Sequence, residues 1–235
     1  LTDSEVAEIM RADGIDIAIF LGGHFDENRP NIANYRAAPI QVAMHGGTTT
    51  GLSNMNYWLS DNVLHPKEER KECEKFTETI WRLPNFYNFK IPNKSPEVSA
   101  LPANKNGYVT FVSFNRLCKI NNDVLDLWCS VLNAIPGSKL ILKYRNHLGD
   151  ASLAETVQKQ FYANGVGKNL IELSNSEDEF NEHLTYYHQG DIALDTFPFS
   201  GATTTFQALW MGLPVVSLSG KRFISRMGDS ISKHA

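Results

Sequence analysis

Residues 191–220, DIALDTFPFSGATTTFQALWMGLPVVSLSG, restrict the fold more than any other stretch of the chain. The apolar run Ile192–Ala193–Leu194 leads into Asp195–Thr196 and then a loop of small and turn-forming residues, Pro198, Ser200 and Gly201. Thr203, Thr204 and Thr205 open a segment whose apolar residues Phe206, Leu209 and Trp210 recur at helical spacing. Gly212–Leu213–Pro214 stops it, and Val215–Val216–Ser217–Leu218 follows as a second buried run. Strand, loop, helix, glycine stop and strand make a βαβ unit with its loop at the carboxyl end of the first strand. The first turn of a helix starting there has N–H groups without intrahelical partners, which favour an anion such as a phosphate or diphosphate. The threonine hydroxyls add donors. An ordinary N-capped helix in a doubly wound sheet has the same local pattern, so the rest of the chain must decide.

That rest alternates strand and helix. Thr2 and Glu5 have capping-box spacing, with Val6, Ile9 and Met10 as the apolar face of a short helix ending at Asp13–Gly14. Residues 15–21 read as a buried strand and Gly22–Gly23–His24 as the loop at its carboxyl end, a place where α/β enzymes put working residues. Residues 31–38 predict a short helix or turn and residues 40–44 a strand, followed by a second small-residue loop, His45–Gly46–Gly47–Thr48–Thr49–Thr50–Gly51. Residues 57–61 and 79–83 predict further strands, with the charged run 67–75 between them a solvated helix or loop. Residues 84–106, carrying Pro84, Pro92, Pro96 and Pro102, keep no period and read as an interdomain connection packed through Phe86, Tyr87 and Phe89. From 107 onward the pattern restarts. Strands are expected at 108–114, 139–144 and 170–173, and helices at 153–164 and 176–187. Asn122–Asp123 would cap an amphipathic helix through Val124, Leu127, Trp128, Val131, Leu132 and Ile135. The expected organisation is a partial N-terminal domain at 1–83, a connection at 84–106 and a second domain at 107–235, each with a parallel sheet.

Composition narrows the partners. The chain has 235 residues with a formal net charge of −4, and an acidic surface is a poor match for a nucleic-acid backbone. No apolar run reaches the roughly 20 residues that cross a bilayer, so no membrane partner is expected. Cys73, Cys118 and Cys129 form no CxxC pair and are odd in number, which points to a reducing, cytoplasmic setting and to no metal knuckle.

Several ordered stretches carry a family resemblance. In the second half they are Phe114–Asn115–Arg116–Leu117–Cys118–Lys119–Ile120, then Ile135–Pro136–Gly137–Ser138–Lys139–Leu140, then Leu194–Asp195–Thr196 through Gly212–Leu213–Pro214–Val215–Val216. In the first half they are Asp13–Gly14–Ile15–Asp16–Ile17, Gly23–His24, Arg36–Ala37–Ala38–Pro39–Ile40–Gln41–Val42, the 46–51 loop and Tyr57–Trp58–Leu59–Ser60–Asp61. Over nearly its whole length the chain resembles the catalytic region of the O-GlcNAc transferase/SPINDLY family of glycosyltransferases, including bacterial TPR-containing members. The resemblance implies an α/β fold of GT-B type, two Rossmann-like domains with the active site in the cleft between them. It also implies inverting transfer of a GlcNAc-like sugar from a nucleotide donor, UDP-linked, to protein Ser/Thr, with no cofactor and no obligatory metal.

Residue by residue, the resemblance implies that Lys119 neutralises the donor diphosphate as charge develops on it, which a lysine can do without a divalent ion. His183 matches a histidine that packs on the nucleotide base. Gly201, Thr203 and Thr204 match the loop that hydrogen-bonds the diphosphate. His24 would orient sugar or acceptor. Three positions depart from the common pattern: Arg116 stands for a glutamine that touches the donor, Ala202 for a histidine, and Gln207 for an acidic residue that holds the ribose. The family's first strand would precede Leu1 and its closing helices would follow residue 235, so the chain is expected to be a fragment of a catalytic region. Two other readings stay open: a nucleotide-binding or scaffold module without catalysis, and another GT-B activity with a different donor or acceptor. Oligomeric state is not set by the sequence.

Overall fold

The computed structural model describes residues 1–25, 28–144, 148, 150–174 and 180–235, with the backbone alone at 70, 72, 180 and 181. The chain forms two compact units, Leu1–Asn88 with Lys221–Arg226, and Phe89–Gly220 with Met227–Ala235.

The first unit begins with α1 (Asp3–Ala12), whose capping box forms as its sequence predicts: Thr2 Oγ1 accepts from Glu5 N, and Glu5 Oε2 accepts from Thr2 N at 2.7 Å. Four strands follow, β1 (Ile17–Leu21), β2 (Ile40–Met44), β3 (Tyr57–Ser60) and β4 (Thr79–Arg82), with the one-turn helix α2 (Arg70–Cys73) before β4. They pair in sequence order and all parallel. Residues 30–35 form a 3₁₀ turn, and Ala7, Ile32 and Ala37 make a small core beneath α1 with Val6, Met10 and Phe20. Ile9 is nearly half exposed, so the inward face of α1 is shifted toward Ala7.

β1 differs from the buried strand that its apolar run suggests. Ala18 is buried, but Ile17, Ile19 and Leu21 are 55%, 55% and 58% exposed. A continuous apolar run predicts burial on both faces, and among the described residues only one face of β1 is covered.

The second unit has α3 (Pro102–Asn106), β5 (Thr110–Ser113), α4 (Asn122–Ala134), β6 (Lys139–Lys143), α5 (Ala151–Ala163), β7 (Ile171–Ser174), α6 (Phe180–Thr185), β8 (Ile192–Leu194), α7 (Thr203–Trp210), β9 (Val215–Val216) and α8 (Met227–His234). Its sheet runs β7-β6-β5-β8-β9, all parallel. Period-two alternation sends Phe111, Leu140, Leu142 and Leu194 into a core with Val124, Trp128, Leu132 and Phe161 of α4 and α5. Val112, Ile141 and Ala193 point the other way, to Leu184, Ala208 and Met211. Both sheet faces are therefore covered by helices, as the alternation predicts.

Boundaries move by a residue or two, and some for a chemical reason. Asn121, one residue earlier than expected, caps α4: its Oδ1 accepts from Val124 N at 3.0 Å while Nδ2 donates to Phe197 O. α3, unsignalled in a proline-rich stretch, has Pro102 at its start and is held by Asp191, which accepts from Ala103 N and Thr110 N. The helix expected at 176–187 begins outside the described residues, and its described part is α6 followed by a 3₁₀ turn. On α7 the inward residues are Thr205, Gln207 and Ala208, while Phe206 stacks on Phe89 at 5.2 Å and Trp210 Nε1 donates to Ser95. The apolar stripe of α7 thus holds the connecting segment rather than the sheet. β9 is shorter than the run suggested, with Val216 and Leu218 exposed at the sheet edge. Among the described residues no helix is long and apolar enough to cross a membrane.

One buried group in the first unit links stability to pH. His65 packs against Phe76 and Phe223 with Nδ1 2.7 Å from Ser60 Oγ, and burial, aided by the charges of Arg82 and Arg226, pushes its pKa from 6.5 down to about 4. The fold accepts only the neutral ring. Below pH 6.5 the unfolded chain takes up a proton that the folded chain refuses until about pH 4, so this stability is full above that window and lost as pH falls through it. The loss has a ceiling of roughly 3 kcal/mol. Urea midpoints at about pH 7.5 and about pH 4.5 should differ in that direction, and His65→Phe should shrink the difference.

Candidate functional site

The strand order reverses between β5 and β8: from β5 the chain first builds outward through β6 and β7, then returns to add β8 and β9 on the other side. Open parallel sheets receive ligands beyond the carboxyl ends of the strands at such a point. A concave surface lies there, lined among others by Ser113, Phe114, Asn115, Asp195, Thr204 and Thr205.

Asp195, the residue after β8, organises this edge. It is buried, and its Oδ1 accepts from Thr196 N at 2.8 Å and Gly201 N at 2.6 Å while Oδ2 accepts from Ser217 Oγ at 2.7 Å. Burial raises its pKa, against these three hydrogen bonds and the nearby Lys119 charge, which favour the anion. The 195–202 loop is wound around one carboxylate. Gly201 has no room for a side chain: an added Cβ would meet Thr204 Oγ1 at 2.5 Å, Thr205 Oγ1 at 2.9 Å and Asn115 Oδ1 at 3.1 Å. α7 starts directly after, with half-buried Ala202 at its N-cap and no side chain capping the first turn. Thr203 is exposed there, and Thr204 Oγ1 donates to Asn115 Oδ1 at 3.0 Å, which joins the loops after β5 and β8.

The cations come from the loop after β5. Lys119 ends a 3₁₀ turn, donates from Nζ to Ser200 O at 2.9 Å and lies 3.9 Å from the centre of the Phe199 ring. Burial lowers its pKa, the Asp195 and Cys118 charges oppose this, and Arg116 adds to it. The ammonium therefore has a buried anion on one side and a second cation close by. Arg116 itself is exposed. The Ser200 carbonyl takes one of the three donors of Lys119.

On the other flank His183 of α6 and Gln207 of α7 meet. His183 Nε2 is 3.4 Å from Gln207 Oε1 and Nδ1 is 3.4 Å from Lys143 Nζ at the end of β6, with the ring edge-on to Phe114 and Tyr187. The second unit thus gathers Arg116, Lys119, His183, Gly201, Ala202, Thr203, Thr204 and Gln207 along the carboxyl edge of one sheet.

His24 belongs to the first unit, where it is exposed with Nε2 3.0 Å from Thr49 O. The carbonyl can only accept, so Nε2 carries the proton and Nδ1 is left as an acceptor. The loops after β1 and β2 touch at backbone level: a Cβ on Gly23 (φ +50°) would lie 2.7 Å from the Gly46 Cα, and one on Gly46 would strike the Trp58 ring. Glu78, buried, secures the second loop by accepting from Thr50 N at 2.7 Å, from Thr49 Oγ1 at 2.7 Å and from Thr50 Oγ1. Asn115, Asp195, Lys143 and Glu78 were not singled out from sequence. The first two stand one or two residues after strands at the reversal point, a positional signal. Glu78 meets its partners 28 residues away and gives none.

Gly201→Ala should test the packing at this edge. Crowding of this kind costs about 1–3 kcal/mol, and thermal unfolding of the variant should show it as a lowered midpoint with the far-UV spectrum retained.

The fold agrees with what is found among known proteins. The description "Glycosyl transferase family 41" matches residues 2–91 and 95–233. A Petunia hybrida protein named a probable UDP-N-acetylglucosamine–peptide N-acetylglucosaminyltransferase SPINDLY is 35% identical over 99% of this chain and 25% of its own length. A solved structure of a Thermobaculum terrenum O-GlcNAc transferase mutant superposes with TM-score 0.92 at 36% identity, covering 99% of this chain and 44% of the other. A UDP-forming α,α-trehalose-phosphate synthase of Burkholderia vietnamiensis, at 8% identity and TM-score 0.52, shares the fold alone. The chain spans about a quarter of the length of the curated relatives it matches. Its two parallel-sheet units have the α/β, GT-B type of fold, and the chain belongs to glycosyl transferase family 41.

Proposed function

We propose that this chain is the core of an inverting glycosyltransferase that moves a GlcNAc-like sugar from a UDP-linked donor to a Ser or Thr hydroxyl of a protein, in a cytoplasmic setting. The observation that carries the reading is the pairing of Lys119 and Arg116 with the uncapped start of α7 at the β5/β8 reversal. Two cations and free first-turn N–H groups suit a diphosphate better than any neutral ligand. The names of the relatives, which specify UDP-N-acetylglucosamine and peptide, support the same donor and acceptor classes.

In this scheme the acceptor hydroxyl attacks the anomeric carbon from the face opposite the diphosphate and loses its proton to solvent water. The bond from that carbon to the diphosphate oxygen breaks, and negative charge grows on the leaving phosphate. Lys119, held by the Ser200 carbonyl, aims its remaining donors at that charge, and Thr203 and the N–H groups of the α7 first turn take the other oxygens. The lysine supplies the counter-charge itself, so the scheme routes no step through a metal or cofactor. His183 and Gln207 receive the nucleoside part. In the first unit, His24 Nδ1 is the acceptor that orients a sugar or substrate hydroxyl.

Titration calorimetry with UDP and GDP tests the donor site. Lys119→Ala should weaken nucleotide binding by about 10- to 100-fold, the equivalent of one charge-assisted hydrogen bond. Absence of binding by the unaltered chain at millimolar nucleotide would end the reading. Transfer from labelled UDP-GlcNAc, UDP-glucose and GDP-fucose to protein then separates a working transferase from a module that only binds nucleotide.

A further inference from the structure

Lys143 is buried at the end of β6, 3% exposed, in a position that neither the diphosphate nor the reacting carbon explains. Its Nζ faces His183 Nδ1 at 3.4 Å and lies 4.7 Å from the centre of the Tyr186 ring. An ammonium has donors and no acceptor, so the histidine nitrogen it faces must be the unprotonated one. The proton of neutral His183 is then on Nε2, which points at Gln207 Oε1 at 3.4 Å. The same oxygen is 3.4 Å from the Tyr187 hydroxyl, whose pKa burial pushes up, so that it stays a donor. With the His183 Nε2–H directed at its oxygen and the Tyr187 hydroxyl shared between that oxygen and the Thr204 carbonyl, the Gln207 amide cannot flip without setting N–H against N–H at His183. Its Nε2 has no acceptor among the described residues. Thr204, whose carbonyl also faces the Tyr187 hydroxyl at 3.3 Å, places this group beside the concave surface.

We propose that Lys143 is a positioning residue which, through His183, locks the Gln207 amide so that its N–H₂ faces the ligand and binds an oxygen acceptor of the nucleoside part. The proposal rests on the nucleotide-donor reading for its ligand. A carboxylate at 207 would do the opposite and accept from a ligand hydroxyl. The donor polarity of this edge is thus set by a residue two hydrogen bonds removed from Gln207 and three from the ligand.

Long-range ¹H–¹⁵N correlation on the nucleotide-free chain reads the His183 ring directly. The unaltered chain should show the Nε2–H form, Lys143→Met should shift the ring toward Nδ1–H, and Lys143→Arg should restore it. In calorimetry, Lys143→Met should weaken UDP about tenfold, one hydrogen bond, and leave inorganic pyrophosphate unchanged. Gln207→Met, which removes the donor without touching β6, should give the same split and serves if Lys143→Met does not fold. The Lys143→Met penalty should vanish with 2′-deoxy-UDP or 3′-deoxy-UDP if the acceptor is a ribose oxygen, and persist with both if it is a base carbonyl. Either result supports the proposal. An Nδ1–H ring in the unaltered chain, equal weakening of UDP and pyrophosphate, or unchanged UDP binding in Gln207→Met would overturn it. If the unaltered chain binds no nucleotide, the donor-site reading fails, and the ring measurement still decides the role of Lys143.

Discussion

The second unit depends on the buried carboxylate of Asp195. One side chain takes the N–H of Thr196, the N–H of Gly201 and the hydroxyl of Ser217, and a Cβ at Gly228 would lie 2.6 Å from its Oδ2. Four segments therefore converge on one charge: the end of β8, the loop, the strand edge beyond β9 and the start of α8. A buried anion is costly unless its lone pairs are filled, and here the loop has to adopt the conformation that fills them. That conformation determines where α7 begins and which way its first N–H groups point. Lys119 completes the arrangement from β5, held by the carbonyl of the loop that Asp195 has shaped.

The edge of the sheet divides its chemistry by strand. Loops after β5 and β8 supply charge and backbone donors, suited to phosphate oxygens, which are alike and tolerate a generic cradle. The end of β6, with α6 and α7, supplies a directed network of Lys143, His183, Gln207 and Tyr187, suited to groups that differ from one nucleoside to the next. Aromatic contacts of His183 with Phe114 and Tyr187 join the two parts.

Most of the fold was legible because it is encoded locally. The capping box at Thr2, the period of Val124 to Leu132 and the alternation in β5 and β6 each need only a few neighbouring residues. What escaped the sequence depends on partners far along the chain. The apolar residues of α7 signalled a helix correctly, yet Phe206 and Trp210 face Phe89 and Ser95 while Thr205 and Gln207 go inward. Gln207 can go inward because its amide oxygen lies within hydrogen-bond reach of the Tyr187 hydroxyl and the His183 ring, which no hydropathy pattern registers. β1 reads as a strand buried on both faces, and only the structure shows that Ile17, Ile19 and Leu21 face outward. In the candidate site, the threonines follow from the strand–loop–helix pattern and the family resemblance together, and Lys119 and His183 from the resemblance alone. Asn115, Asp195 and Lys143 became visible only with their partners in place.

The return of residues 221–226 to the first unit has a consequence for how the protein is made. Phe223 packs on Trp58, His65 and Phe86, and Arg226 reaches Glu69 at 2.5 Å, so the first unit is completed by side chains that follow most of the second unit in the chain. A ribosome delivers them only after nearly all of the second unit has emerged. Until then the faces of Trp58, His65 and Phe86 that Phe223 covers stay open. No single cut of the polypeptide separates the units, and dividing them calls for a rearranged chain order rather than a truncation.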